Sequence, residues 1–190
     1  MDTKSKNQKG FTLIELAIVL VIIGIILGAV LKGQEMINSA KIKNVGEQYR
    51  SLMAAVYSYQ DKYQQFPGDD NAATSRSWAT GKCETTSGNG NGQITEYYAA
   101  AEHLACAGLI AGSYNGTSEN IKHKYGGDVL IYYDAIQGKT GNLIRFDNLS
   151  AENAQAVDAM VDDGIYNSGT CRASAAYTAG TTIAQLVCFI

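Results

Sequence analysis

Glu15 is a carboxylate set inside an apolar run. In KGFTLIEL (9–16) it stands four residues after Phe11, which itself follows Gly10. From Phe11 to Leu31 the chain reads FTLIELAIVLVIIGIILGAVL, 21 residues in which Glu15 is the single charge. As a helix that stretch is about 32 Å long, close to the thickness of a bilayer core. A carboxylate at the membrane centre costs about 2.5–3.5 kcal/mol on insertion scales, so an acid there calls for a partner and a function. The preceding MDTKSKNQKG holds three lysines against one aspartate, and basic residues stay on the cytoplasmic side of a span. Two plainer explanations fail on particular residues. A secretory signal has an apolar core of roughly 7–15 residues and a small-residue cleavage site, whereas this run is longer and is followed by Lys32, Gly33, Gln34 and Glu35. A plain signal anchor explains the length and the lysines but gives Glu15 no role.

Gly10, Phe11, Glu15 and the apolar run behind them resemble the class III leader of type IV pilins and pseudopilins. The resemblance implies a membrane peptidase that cuts between Gly10 and Phe11 on the cytoplasmic side and N-methylates the new Phe11 amine. It implies an apolar helix that anchors the subunit in the inner membrane and later packs in the core of a helical filament. Its implied partners are copies of this chain, other pilins or pseudopilins, the prepilin peptidase/methyltransferase and an inner-membrane assembly platform. For Glu15 it implies a cation, the Phe11 amine of a neighbouring copy, met in low dielectric. The resemblance is strongest over residues 9 to about 40. One departure is plain: major pilins commonly carry a proline near the end of the apolar run, and here AVLKGQE stands there, with no proline before Pro67. Gly24 and Gly28 read equally as weak points, each up to about 1 kcal/mol worse than alanine, or as close helix contacts at G-xxx-G spacing.

The helix is expected to continue past the span. Ile42, Val45, Tyr49, Leu52, Val56, Tyr59 and Tyr63 alternate at spacings of 3 and 4, an apolar stripe on one face. One helix over 11–64 would be on the order of 80 Å long, ending before Phe66-Pro67-Gly68. The expected organisation is a leader at 1–10, a helix at 11–64 with its span at 11–31, and an α+β head at 65–190. In the head, Thr95 is expected to cap a helix through EYYAAAEHLACA that Gly108 stops. DVLIYYDA (128–135) and NLIRF (142–146) form a hairpin around Gly138 and Gly141. Ser150 precedes a helix AENAQAVDAMVDDG, and TTIAQLVCFI is a last strand. The fold is then a small antiparallel sheet packed on the C-terminal half of a long helix, which is pilin-like.

Four cysteines, Cys83, Cys106, Cys171 and Cys188, lie beyond the span. They allow three pairings; chain order favours Cys83–Cys106 and Cys171–Cys188, the latter resembling the disulfide-bounded loop near the end of many type IV pilins. Their spacing fits no zinc pattern. SGNGNGQI (87–94) places Asn89 and Asn91 like the first half of an EF-hand loop, with Asp69 and Asp70, or Glu96 and Glu102, to supply charge. Tyr98 stands where the bidentate glutamate belongs, and a glycine-asparagine turn is the favoured reading over calcium. Asp162-Asp163 before Gly164 reads as a helix-ending turn. Asn115 and Asn148 begin glycosylation sequons, a pattern common by chance. A net charge of -3 with no basic stripe past residue 10 excludes a nucleic-acid binder. No GxSxG, P-loop or Cys/His arrangement marks an enzyme. The chain is therefore expected to be a structural subunit of a type IV pilus-like filament, inner-membrane before assembly and extracellular after it. The alternatives are a pseudopilin of a type II secretion system, ending in a periplasmic pseudopilus, and a membrane-anchored adhesive or calcium-binding module that never polymerises.

Overall fold

The computed structural model describes residues 10–78 and 86–190. Contacts divide the chain into two compact units, residues 1–40 and 41–190. Helix α1 runs Leu13–Tyr63. In the first unit its large side chains are solvent-facing, Leu13 at 89% and Ile25 at 69% exposure, and mean hydropathy within the helix reaches 3.0, long and apolar enough to cross a membrane. The helix passes Gly24 and Gly28 unbroken. A Cβ built at either meets nothing within 4 Å, so small size there serves no contact inside the chain.

The second unit begins where α1 acquires a buried face. Val45, Tyr49, Leu52, Val56 and Tyr59 are buried, and Ile42 and Tyr63 are partly so. The unit adds strands β1 (Ile121–Lys122), β2 (Asp128–Ile136), β3 (Lys139–Ser150), β4 (Cys171–Ala173) and β5 (Thr182–Phe189), with helices α2 (Tyr97–Cys106) and α3 (Ala151–Val161). All neighbours in the order β1-β2-β3-β5-β4 are antiparallel. Val129 and Ile131 of β2, Ile144 and Phe146 of β3, and Leu186 and Cys188 of β5 join the α1 stripe in one core. Alternation puts Leu143, Val187 and Phe189 in a smaller cluster on the other side. The Tyr49 hydroxyl, itself buried, donates to the Phe189 carbonyl at 3.0 Å, tying α1 to the last strand.

Local chemistry sets the ends. α1 stops one residue short of the expected 64 because Gln64 takes φ 58, the left-handed conformation of a helix terminator, ahead of a pre-proline position that disfavours helix. In the β2–β3 hairpin, Gln137 and Gly138 have φ 48 and 78 and Ile136 pairs with Lys139; two positive φ values make a two-residue primed turn whose twist matches the strands. Gly141, expected in that turn, instead lies in β3 opposite Asp134. Thr95 does not cap α2: Glu96 is the N-cap residue and makes no side-chain cap bond, while the Thr95 hydroxyl donates to the Glu96 carboxylate. Ser150 does cap α3, accepting from Asn153 N–H. β1 and β4 were not expected, being two and three residues long.

Cys171 and Cys188 face each other in the β4–β5 ladder and are disulfide-bonded across 17 residues of sequence. Cys106 is also disulfide-bonded, while Cys83, its expected partner, lies outside the described residues. A loop of this size contributes about 3 kcal/mol in the chain-entropy model. Cys171→Ala with Cys188→Ala should therefore lower the stability of the head by about that amount without unfolding it at 25 °C. Guanidinium unfolding followed by tyrosine fluorescence checks this; an unchanged midpoint would contradict it.

Candidate processing and assembly site

At the start of α1, Gly10, Phe11 and Thr12 lie outside the helix and are exposed, Phe11 at 85%. The peptide bond between Gly10 and Phe11 is thus on non-helical backbone that an enzyme can engage. A Cβ at Gly10 would meet nothing within 4 Å, and its φ is not in the left-handed range. The fold itself therefore does not demand glycine at this position. Lys4, Lys6 and Lys9 lie outside the described residues.

Thr12 and Glu15 interlock. The Glu15 carboxylate accepts, at Oε2, both the Thr12 backbone N–H and its hydroxyl at 2.8 Å, and the Thr12 hydroxyl oxygen accepts Glu15 N–H at 3.3 Å. This reciprocal pattern is a capping box, which satisfies amides left orphaned in the first helical turn. T-x-x-E before an apolar run is its sequence signature, so Thr12's role is carried by the primary structure itself. The negative carboxylate also lies at the positive end of the helix dipole. Both bonds converge on one oxygen.

Residues 5–31 match the family described as the prokaryotic N-terminal methylation motif. The chain carries the class III prepilin leader characteristic of type IV pilins and pseudopilins. No curated protein and no solved structure matches the chain. The leader supports a pilin-like or pseudopilin subunit, implies processing by a prepilin peptidase, and with the apolar helix is consistent with inner-membrane anchoring before assembly. The protein families it marks are structural.

The calcium candidates lie together, but their oxygens face donors. Asp69 is 1% exposed, and its carboxylate accepts Gly90 N–H at 2.8 Å, Asn91 N–H at 3.1 Å and Gly92 N–H at 2.7 Å. Asn89 Oδ1 accepts Asn91 N–H and Asn91 Oδ1 accepts Gln93 N–H, successive Asx turns. A ring of inward-pointing amides has the polarity of an anion cradle, and Asp69 is the anion. Gly88 is required beside it, because a Cβ there would come within 2.3 Å of Asp69 backbone carbon. Asp70, fully buried, accepts the Tyr59 hydroxyl at 2.7 Å and pairs with Arg76 through both carboxylate oxygens at 2.8 and 3.0 Å. Burial opposes its ionisation, but Arg76, Tyr59 and the Ala72 amide outweigh it and hold the carboxyl below the usual range.

His103 completes this polar knot. Its Nδ1 accepts Gly68 N–H at 2.9 Å, so the ring proton sits on Nε2, which donates to the Thr86 carbonyl at 2.9 Å. The ring is fully buried and stacks 6.1 Å from Tyr59. Desolvation by burial lowers its pKa from the ordinary 6.5, against the opposing pull of the Thr86 carbonyl.

Two predictions follow from these geometries. Thr12→Ala removes a cap, a change that costs about 0.5–2 kcal/mol; hydrogen exchange of the chain in detergent should show faster exchange in the first turn of α1 and unchanged exchange in β3. Equal exchange in the first turn would contradict the cap. The second is pH dependence. The unfolded His103 takes a proton near the ordinary histidine value of 6.5, the folded one only at lower pH, so the stability that His103 contributes falls as pH drops below about 6.5. The depressed carboxyl of Asp70 adds to the loss at lower pH, as the pH falls through its folded value. The NMR titration of His103, followed as the Nε2–H tautomer, checks the sign directly, whereas whole-chain melting between pH 7 and 5 also contains the opposite contribution of buried Asp158, whose carboxyl is raised to about 6; a His103 that titrates above 6.5 would contradict it.

Proposed function

We propose that the chain is a structural subunit of a type IV pilus-like filament, cut between Gly10 and Phe11 and N-methylated at Phe11 before assembly from the inner membrane. The observation that carries this is a half-helix of uncovered apolar side chains headed by the methylation motif. In the bilayer, Glu15 lies near the cytoplasmic end of the span, where Thr12 caps it and headgroups are within reach. In a bundle of helices that access is lost, and the carboxylate needs a cation. The Phe11 amine supplies one only after cleavage, because until then the leader continues from the same nitrogen. Since the cap uses Oε2 alone, the other carboxylate oxygen is free to take a neighbour's amine while the first turn stays capped. Processing thereby creates the charge that assembly uses.

A pseudopilin of a type II secretion system is the second reading, kept by the proline-free run that α1 crosses unbroken. Both place copies of this chain in a helical filament. The peptidase/methyltransferase and an assembly platform are its other partners.

Intact-mass spectrometry of membrane or filament protein should give a chain that starts at Phe11 with one added methyl. Removing one partner of a buried ion pair costs about 3–5 kcal/mol. Glu15→Ala or Glu15→Gln, expressed as the sole copy, should therefore be cut and held in the membrane yet be missing from sheared filaments. A chain starting at Met1 would make it an anchored module, and normal filaments from Glu15→Ala would overturn the role given to Glu15.

A further inference from the structure

We propose that Asn89 and Asn91 are deamidation sites that Asp69 holds closed. Each asparagine precedes a glycine, Asn89-Gly90 and Asn91-Gly92, and all four residues are exposed. In an unconstrained chain the nitrogen of the following residue loses its proton to solvent and attacks Cγ of the asparagine. The new C–N bond closes a cyclic imide, the bond from Cγ to Nδ2 breaks, and Nδ2 leaves as ammonia with a proton returned from solvent. Water then opens the ring at either carbonyl, which leaves aspartate or isoaspartate. A following glycine hinders the attack least, since it has no Cβ. The turn needs that glycine in both places: Gly90 and Gly92 take φ 73 and 87, a region glycine enters at no steric cost. A Cβ at Gly90 would also come within 2.6 Å of Asn71 Nδ2. The backbone therefore imposes the labile dipeptide twice in succession.

What the fold supplies is a lock on the attacking nitrogens. Gly90 N–H donates to the Asp69 carbonyl at 2.9 Å and to its Oδ1 at 2.8 Å, and Gly92 N–H donates to Oδ2 at 2.7 Å. These are the two nitrogens that imide formation needs. Each would have to shed the proton that the carboxylate holds, in a charge-assisted bond stronger than a neutral one. The amide anion left behind would then face a negative charge at hydrogen-bond distance, and a like charge opposes ionisation. Asp69 is itself buried, so solvent does little to screen that repulsion. The turn has something to lose. Gly92 carbonyl accepts Asn142 Nδ2 at 2.9 Å and Ile94 N–H donates to Asn142 Oδ1 at 3.0 Å, which ties the turn to β3. Isoaspartate at 89 or 91 would lengthen the main chain by one carbon just before that anchor, and aspartate would set a second negative charge near Asp69.

The test is peptide mapping by mass spectrometry of the full-length processed chain in detergent, aged in mildly alkaline buffer beside the same chain aged in guanidinium. Conversion of Asn89 and Asn91 should be slower in the folded chain by about tenfold or more, the factor that one hydrogen bond to a charged group supplies. Hydrogen exchange gives a second reading: Gly90 and Gly92 are exposed, so slow exchange of their amides reports the bonds to Asp69 and not burial. Asp69→Asn keeps the size and one acceptor oxygen but loses the charge, and it should speed conversion at both asparagines in a chain whose circular dichroism is that of the wild type. Equal conversion in the folded and unfolded wild-type chain, or fast exchange at Gly90 and Gly92, would overturn the proposal even where Asp69→Asn does not fold. A folded Asp69→Asn that converts at the wild-type rate would overturn it as well.

Discussion

An apolar half-helix left uncovered by its own chain is the constraint from which the rest follows. Between Leu13 and Leu31 the large side chains are about half exposed or more, far beyond the isolated apolar side chains that a soluble surface carries. Such a surface is stable only in lipid or among other helices. Lipid leaves a backbone no outside partners, so a segment placed there must be helical throughout and its first turn must carry its own cap. Thr12 and Glu15 provide it. The one charge in the run therefore already has a structural reason before any neighbour arrives, and its cost in the membrane is smaller than an isolated acid would carry.

From Lys41 onward the same helix answers a different demand. Residues at spacings of 3 and 4 turn one face toward a five-stranded sheet, and the remaining faces are polar. The polar connection after Pro67 has no periodic pattern to order it. Its described residues are held instead by buried acceptors: Asp69 gathers three loop amides, Asp70 binds Tyr59 and Arg76, and His103 joins Gly68 to Thr86. Each satisfied group in low dielectric is strong, and each would be costly left alone. A loop built this way is specified by a few side chains, and acid loosens it from within.

Periodic features were legible in the sequence because period reports a face. The α1 stripe, the capped α3, the β2–β3 hairpin and the last strand all repeat at 3.6 or 2 residues over enough positions to be read. β1 and β4 are too short for any period, and they exist because β2 and β5 offer them edges. Gly141 was mistaken for a turn residue because glycine in the sequence does not say whether its φ is positive; only Gly138 is in that region. At Asp69 and Asp70 the glycine-asparagine turn was the favoured reading, but the amides and the Arg76 and Tyr59 groups that meet these carboxylates come together only in the fold, since spacing shows which oxygens gather and not what meets them. The burial of Asp158 was invisible, because the Tyr177 hydroxyl that bonds it lies 19 residues away and arrives only with the fold. The leader, by contrast, is a local pattern, so the motif matched at residues 5–31 can be seen without any fold.

The most direct measurement is a near-atomic electron microscopy reconstruction of filaments sheared from cells that express this chain. The expected result is a core of bundled α1 segments in which the Phe11 nitrogen of one copy lies within about 4 Å of a neighbour's Glu15 carboxylate, an ion-pair distance, with Thr12 still capping the helix. A filament core in which Glu15 faces solvent, or in which residues 1–10 remain attached to Phe11, would contradict it.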